Sequence, residues 1–151
     1  MTLEIRPVHA ADFEDWRELW QAYLTFYRTT LPEGRTEKTW SRMLDDDLPV
    51  HCLIARDDGV AVGFAAYLTH FSTWLDGKDC YLEDLYVAAD IRGSGVGRKL
   101  IESVGDAARD LGCDRLYWTT EINNYRARGL YDKVAGPSDS VRYRMSLTQP
   151  A

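Results

Sequence analysis

The sequence is poor in cysteine and has no long apolar run. Its three cysteines, Cys52, Cys80 and Cys113, are odd in number and lack the spacing of metal ligands. Such usage indicates free thiols in a reducing compartment rather than a disulfide framework. No segment is long and apolar enough to span a bilayer, and Met1–Pro7 lacks the basic and apolar regions of a signal peptide. We therefore expect a cytoplasmic protein that is not attached to a membrane.

Positive charge and histidine are also scarce. Lys and Arg number 18 against 24 Asp and Glu, which gives a net charge of −6. This balance disfavours nucleic acid as a partner and mildly favours cationic ligands. The three histidines form no metal-binding pattern, so we expect no metal site. With 45% hydrophobic residues the chain can bury one core, and we expect a single domain over residues 1–151.

Hydrophobic periodicity divides the chain into strands and helices. The predicted strands are Leu3–Arg6, Cys52–Ala55, Val60–Leu68, Cys80–Val87, Arg115–Thr120 and Val141–Leu147. The predicted helices are Phe13–Tyr27, Thr36–Leu44, Val96–Leu111 and Asn124–Val134. Asp58-Gly59 marks a tight hairpin turn between two of the strands. This order predicts an α/β fold, in which a central mixed sheet is flanked by about four helices.

A strand, a glycine-rich turn and a helix follow one another between Cys80 and Leu111. Arg92 precedes the segment Gly93-Ser94-Gly95-Val96-Gly97, and an amphipathic helix begins at Val96. Glycines at a helix N-terminus can leave backbone N–H groups at the positive end of the dipole, where they bind phosphate. The residues after Gly97 do not match a P-loop, and the spacing does not match a Rossmann turn. A glycine turn without a ligand is the alternative.

Glu83 and Asp84 are the only charged residues of the strand Cys80–Val87. A carboxyl group among apolar residues has a raised pKa, which suits a general base near neutral pH. We choose Glu83 as the candidate base. Strand geometry directs the two side chains to opposite faces of the sheet, unless a bulge intervenes. For Asp84, a hydrogen bond from the backbone or an arginine is the alternative to a functional role.

Three segments together resemble the GNAT N-acetyltransferase superfamily. Arg92-x-x-Gly95-x-Gly97 resembles its acyl-CoA diphosphate loop, and Tyr81–Val87 is similar to the preceding strand of spermidine/spermine and small histone- or polyamine-acetylating members. Asn124–Tyr131 resembles the second coenzyme segment, in which an Asn is followed by a Tyr. The resemblance implies the GNAT fold, acetyl-CoA as the coenzyme and a homodimer.

The resemblance also implies roles for individual residues. Tyr131 would protonate the leaving thiolate, and Glu83 would contact the acceptor amine and take its proton. On sequence alone, a core aromatic is the alternative for Tyr131. The residues implied to border the acceptor are Tyr27, Trp74, Glu83 and Asp84. The residues implied to bind the coenzyme are Leu85, Tyr86, Val87, Arg92, Gly93, Ser94, Gly95, Val96, Gly97, Arg98, Asn124, Tyr125, Arg126 and Ala127.

These features predict an acetyl-CoA-dependent N-acetyltransferase. It would move the acetyl group to a primary amine of a polyamine- or amino-acid-like molecule, by direct transfer in a ternary complex. Ser72 stands where the polyamine enzymes carry an acid two positions before the residue matched by Trp74, which counts against polyamines. Acetylation of protein lysines or N-termini and a non-catalytic acyl-CoA sensor are the alternatives.

Overall fold

The computed structural model describes residues 1–148 of the chain. They form two compact units, Met1–Thr119 and a second unit that begins at Thr120. The strands of the first unit are β1 (Leu3–Pro7), β2 (Val50–Asp57), β3 (Val60–Phe71), β4 (Lys78–Val87) and β5 (Cys113–Tyr117). Its α-helices are α1 (Phe13–Phe26), α2 (Arg35–Leu44) and α3 (Val96–Asp110), and the second unit contains α4 (Tyr125–Val134). No helix among these residues has the length and hydrophobicity to cross a bilayer.

The five strands form one mixed sheet in the order β1-β2-β3-β4-β5. Strands β1 to β4 pair antiparallel with their neighbours, whereas β4 and β5 are parallel. A parallel pair needs a crossover connection, which α3 provides. The β2–β3 hairpin turns at Asp58 and Gly59, whose φ angles are 49° and 85°. The mixed α/β sheet and this Asp-Gly turn agree with the prediction.

Helices pack on both faces of the sheet. On one face, Trp16 and Trp20 of α1 and Trp40 of α2 form a cluster with residues of β2 and β3, including Phe64. Alternate residues of a strand point to opposite faces, so Gly63 lies on the other side. A Cβ on Gly63 would lie 3.3 Å from Leu100 of α3 and 2.7 Å from a β4 carbonyl oxygen. The close approach of α3 and β4 therefore requires glycine at this position.

A buried ion cluster joins β1, α1 and β2. Asp12 accepts hydrogen bonds from Arg6 at 2.8 and 2.9 Å and from Arg56 at 2.7 Å. The Arg6 guanidinium, the backbone N–H of His9 and Arg56 hold the pKa of Asp12 well below its usual range, against the effect of burial. Asp12 directly precedes α1, but its carboxylate binds these partners instead of capping the helix. The cluster fixes the start of α1 on the sheet.

Several element boundaries and one predicted strand differ from the prediction. Strand β5 ends at Tyr117 rather than Thr120. Helix α2 begins at Arg35 after a left-handed Gly34, and the hydroxyl of Thr36 accepts a hydrogen bond from the Trp20 indole instead of capping the helix. The predicted strand Val141–Leu147 is wrong, since no strand is present there. A strand needs a hydrogen-bonded neighbour, and residues 120–148 contain no other strand to pair with it.

Candidate active site

Strand β4 contains a bulge at Glu83. Ala66 of β3 pairs with Asp84, whereas the next β3 residue, Tyr67, pairs with Leu82, so that Glu83 is the extra residue. The bulge changes the alternation of side chains along β4. Glu83 is exposed, and Asp84 is half-buried and directed toward α1. The two acids therefore lie in different surroundings although they are adjacent in sequence.

The half-buried Asp84 carboxyl is bound by a residue of α1. The Tyr23 hydroxyl donates a hydrogen bond to Asp84 Oδ1 at 2.7 Å. Burial raises the pKa of Asp84 to about 7, assisted by repulsion from Glu83 and opposed by the bond from Tyr23. Burial and the charge of Asp84 also raise the pKa of Tyr23, so the phenol remains a donor. Asp84 therefore changes charge near neutral pH.

Aromatic rings surround the Tyr23–Asp84 pair. The ring of Tyr23 makes edge contacts with Tyr27, Phe64 and Tyr86, at centroid distances of 5.0, 5.7 and 6.1 Å. Tyr27 follows the last residue of α1 and is 40% exposed. Aromatic faces beside a carboxylate attract an organic cation. This part of the site is therefore suited to an ammonium group.

Trp74, the fourth residue predicted at the acceptor site, lies in the connection between β3 and β4. Its ring is 89% exposed. Its backbone N–H donates to the hydroxyl of Ser72 at 3.2 Å, which fixes the local turn. A contact between Trp74 and an acceptor stays a prediction.

The paired part of β4 and β5 is short. They pair from Lys78 with Cys113 to Tyr81 with Tyr117, with a register shift between Lys78 and Asp79, and β4 continues to Val87 without β5. On this side the backbone of Leu85–Val87 is not part of the β4–β5 ladder. Backbone groups of a strand that lacks a neighbour can bind an extended ligand chain. The arrangement is compatible with the predicted backbone contacts of Leu85, Tyr86 and Val87.

The glycine-rich loop leaves the N-terminus of α3 open. Gly93 and Gly95 have φ angles of 88° and 90°, in the left-handed region that favours glycine. Helix α3 begins at Val96, so the N–H groups of Val96, Gly97 and Arg98 have no acceptor within the helix. A Cβ on Gly93 or Gly95 would meet no atom within 4 Å. The loop therefore has free space and positive polarity, which fit a phosphate group.

Three polar side chains of this loop bind protein groups. The backbone N–H and the hydroxyl of Ser94 both donate to the carbonyl of Ile91. Arg98 pairs with Glu102 at 3.0 Å. The guanidinium of Arg92 donates from Nε to the carbonyl of Val87 at 3.0 Å. These contacts between groups of the protein stabilise the loop.

The remaining predicted residues belong to the second unit. Asn124 precedes α4, and its side-chain oxygen accepts a hydrogen bond from the N–H of Ala127, which caps the helix. Tyr125 and Arg126 are exposed, and Tyr131 is half-buried on the same helix. The predicted helix Asn124–Val134 is therefore present, with Asn124 as its N-cap.

Tyr23 is a candidate residue that the sequence did not single out. It belongs to the amphipathic stripe of α1, one turn before Tyr27, and the pattern does not distinguish it from the buried residues of that stripe. Only its pairing with Asp84, across 61 residues of sequence, reveals a separate role. In the sequence, the feature that pointed toward this pair was the charge of Asp84 within an apolar strand.

Comparison with known proteins identifies the family. The model of the acetyltransferase (GNAT) family matches residues 13–136. The chain is 39% identical over 142 residues to a D-amino-acid N-acetyltransferase, HPA3, of Saccharomyces cerevisiae, covering 93% of this chain and 88% of that protein. It is 38% identical over 97 residues to a thialysine N-epsilon-acetyltransferase of Bos taurus, covering 59% of this chain and 56% of that protein.

Solved structures agree on the fold. The aminoglycoside N-acetyltransferase AAC(6')-Iy in complex with CoA superposes with a TM-score of 0.83 at 22% identity, covering 97% of this chain and 96% of that chain. A ribosomal-protein-alanine N-acetyltransferase from Brucella melitensis superposes with a TM-score of 0.81 at 23% identity, covering 97% of this chain and all of the other. The enzyme class and the fold predicted from the sequence are thus confirmed, and the chain belongs to the acetyltransferase (GNAT) family.

Proposed function

We propose that this protein is an acetyl-CoA-dependent N-acetyltransferase that acts on a primary amine of a small, amino-acid-like molecule, by direct transfer in a ternary complex. The observation that carries the proposal is the half-buried Asp84 among the rings of α1 and β4, on the strand that leads into the open glycine loop. The names of the yeast and bovine relatives, which act on D-amino acids and thialysine, support an amino-acid-like acceptor.

The coenzyme supplies the acetyl group as a thioester. We propose that the N–H groups around Gly93–Arg98 bind its diphosphate, because they are open at the positive end of α3. The backbone of Leu85, Tyr86 and Val87 binds its extended arm along the free side of β4. Asn124 and the following three residues, Tyr125, Arg126 and Ala127, form the second contact, as the resemblance implies.

The acceptor amine is bound as an ammonium and must lose a proton to become a nucleophile. In our proposal ionised Asp84 binds the ammonium, with Tyr27 and Trp74 bordering it. Glu83, which is exposed at the bulge and therefore in contact with water, takes the proton directly or through a water molecule. Tyr131 returns a proton to the leaving thiolate. A phenol with a pKa of about 10 can protonate a thiolate whose pKa is about 8.5 at small cost.

Both units are proposed to act together as one catalytic domain in the cytoplasm, without nucleic acid or membrane as a partner. The family match to residues 13–136 extends over parts of both units and supports this. All three cysteines are free thiols in the structure, which supports a reducing compartment.

An acceptor screen tests the function. The protein is mixed with acetyl-CoA and a panel of D- and L-amino acids, lysine analogues, polyamines and a lysine-containing peptide, and the products are identified by mass. We expect acetylation of the amino-acid-like amines.

Tyr131→Phe should lower kcat about 100-fold without weakening coenzyme binding, because it removes the acid alone. Tyr117→Phe, which removes the hydroxyl of another half-buried tyrosine outside the proposed site, is the matched control.

Two outcomes of this screen would contradict the proposal. Acetylation of the peptide alone would indicate a protein acetyltransferase. Coenzyme binding without release of free CoA for any amine would indicate a sensor. Full turnover by Tyr131→Phe would remove that residue from the mechanism.

The pH dependence separates Asp84 from Glu83. Asp84 has a pKa of about 7 and is charged above this pH, so the KM for the amine should rise as the pH falls from 8 to 6. Asp84→Asn should raise the KM at pH 8 at least about tenfold and abolish this pH dependence, since a charge-assisted hydrogen bond is lost. Glu83→Gln should instead lower kcat and keep the pH dependence of KM.

Thermal unfolding of Asp84→Asn is the folding control for these kinetic measurements. Burial disfavours the ionised form of Asp84, so the folded state carries an electrostatic cost above the pKa. Asp84→Asn should therefore unfold at no lower temperature than the parent at pH 8. If Glu83→Gln rather than Asp84→Asn removes the pH dependence of KM, the two roles are exchanged.

The glycine loop is tested with two substitutions that impose the same backbone strain. Gly95→Ala and Gly59→Ala both place a side chain on a residue with φ near +90°, 90° and 85° respectively, in open space. Each should cost about 1 kcal/mol of stability. Only Gly95→Ala should weaken acetyl-CoA binding, because its Cβ enters the space proposed for the diphosphate. Calorimetric titration measures the affinity, and equal loss in both variants would remove the loop from the coenzyme site.

A homodimer is proposed on the exposed tail of the second unit. Four apolar side chains in alternation are 75 to 91% exposed: Val141, Tyr143, Met145 and Leu147. Exposed apolar side chains in a row are typical of an interaction surface. Light scattering should therefore give about twice the chain mass of 17.3 kDa. A monomer at micromolar concentration would contradict the proposal.

A further inference from the structure

We propose that Arg92 is a positioning residue for the acceptor side of the site and not a ligand of the coenzyme phosphates. This inference rests on the proposed function and departs from the role that the resemblance assigns to Arg92. The evidence is the set of contacts that its guanidinium makes with the end of α1 and the end of β4.

The side chain of Arg92 contacts two secondary-structure elements at once. Its Cζ atom lies 5.1 Å from the ring centroid of Phe26, the last residue of α1, and 5.3 Å from that of Tyr86 on β4. Its Nε donates to the carbonyl of Val87 at 3.0 Å. A planar guanidinium can contact ring faces and direct an N–H bond in its own plane, which a lysine ammonium cannot do. The side chain therefore joins α1 to β4 through an interaction that requires arginine.

The Arg92 guanidinium and four aromatic rings form a closed cycle of contacts. The ring of Phe26 contacts Tyr27 at 5.1 Å, and Tyr27 contacts Tyr23 at 5.0 Å. Tyr23 contacts Tyr86 at 6.1 Å, and Tyr86 contacts Arg92. Arg92 thus connects the two ends of a chain of four aromatic residues, with Tyr23 in its middle. Because Tyr23 donates to Asp84, Arg92 influences the position of the proposed ammonium site without touching it.

The rings at the end of α1 are only partly covered by the protein, since Phe26 is 53% exposed and Tyr27 is 40% exposed. Backbone hydrogen bonds from Tyr27, Arg28 and Thr29 to the last turn of α1 hold the main chain there. Arg28 nevertheless has a φ angle of 53°, in the left-handed region that is unfavourable for a non-glycine residue. Arg92 supplies a contact from the opposite element. A loss of this contact should loosen Tyr27 and Tyr23 before it alters the glycine loop.

The test compares two substitutions in the same loop with two ligands. Arg92→Lys keeps the charge but loses the planar group and the Nε–H bond, and Gly95→Ala is the comparison on the coenzyme side of the same loop. For Arg92→Lys we expect the KM for the amine to rise about tenfold, with the acetyl-CoA dissociation constant within about twofold of the parent. Gly95→Ala should show the reverse preference, because its Cβ enters the space proposed for the diphosphate.

Two further variants separate positioning from a general loss of structure. Phe26→Leu removes one ring of the cycle at an exposed helix end and should raise the amine KM in the same direction as Arg92→Lys. In an Asp84→Asn background, Arg92→Lys should have little further effect on the amine KM, because it acts through that carboxylate. A general loss of folding would instead lower both affinities and the melting temperature in every background.

Failure of this inference can be distinguished from failure of the proposed function. The proposed function fails if the parent protein neither binds acetyl-CoA nor acetylates an amine. With an active parent, a tenfold weaker acetyl-CoA affinity of Arg92→Lys at an unchanged amine KM overturns the inference and makes Arg92 a phosphate ligand. Additive effects of Arg92→Lys and Asp84→Asn overturn it as well. Should Arg92→Lys not fold, an unchanged amine KM in Phe26→Leu decides against it.

Discussion

A carboxyl group that loses part of its water must find a donor in the protein, and for Asp84 that donor is Tyr23. This hydrogen bond links the sheet to α1 at the point where the aromatic stripe of the helix ends. The bulge at Glu83 places Asp84 on the opposite face of β4 from Leu82, which lies two residues before it, and on the same face as Tyr86. The same pair thus links the end of α1 to the sheet and determines the electrostatic character of the site.

The two edges of strand β4 differ in how far they are paired with neighbouring strands. Along one edge it pairs with β3 from Lys78 to Val87, which keeps the strand in place over its whole length. This support allows the other edge to separate from β5 after Tyr81 without loss of the sheet. Gly63 contributes on the paired edge, because it lets the β4 backbone and α3 approach closely. A strand with one free edge next to an open helix N-terminus suits a long ligand with an anionic group.

The sequence predicted the features of the fold that arise from local interactions. The start of α3 at Val96 and the Asp58-Gly59 turn both follow from periodicity and turn chemistry within a few residues. The strand at Val141–Leu147 was predicted wrongly for the opposite reason. Alternation shows that a segment could form a strand, but pairing depends on a distant partner that its own residues do not specify.

The sequence indicated the types of residue in the candidate site but not the different roles proposed for its two acids. The glycine loop and the two adjacent acids were visible in sequence, whereas the bulge at Glu83 and the pairing of Asp84 with Tyr23 were not. Neighbouring carboxyl groups with different surroundings can hold different charges at one pH, so one can bind a cation while the other exchanges protons with water. The bulge reverses the alternation of β4 between Leu82 and Asp84, so Leu82 lies on one face while Asp84 faces Tyr23 on the other, beside Tyr86. Strand β4 therefore presents one acid to the aromatic end of α1 and keeps a second acid, the extra residue Glu83, in water beside it.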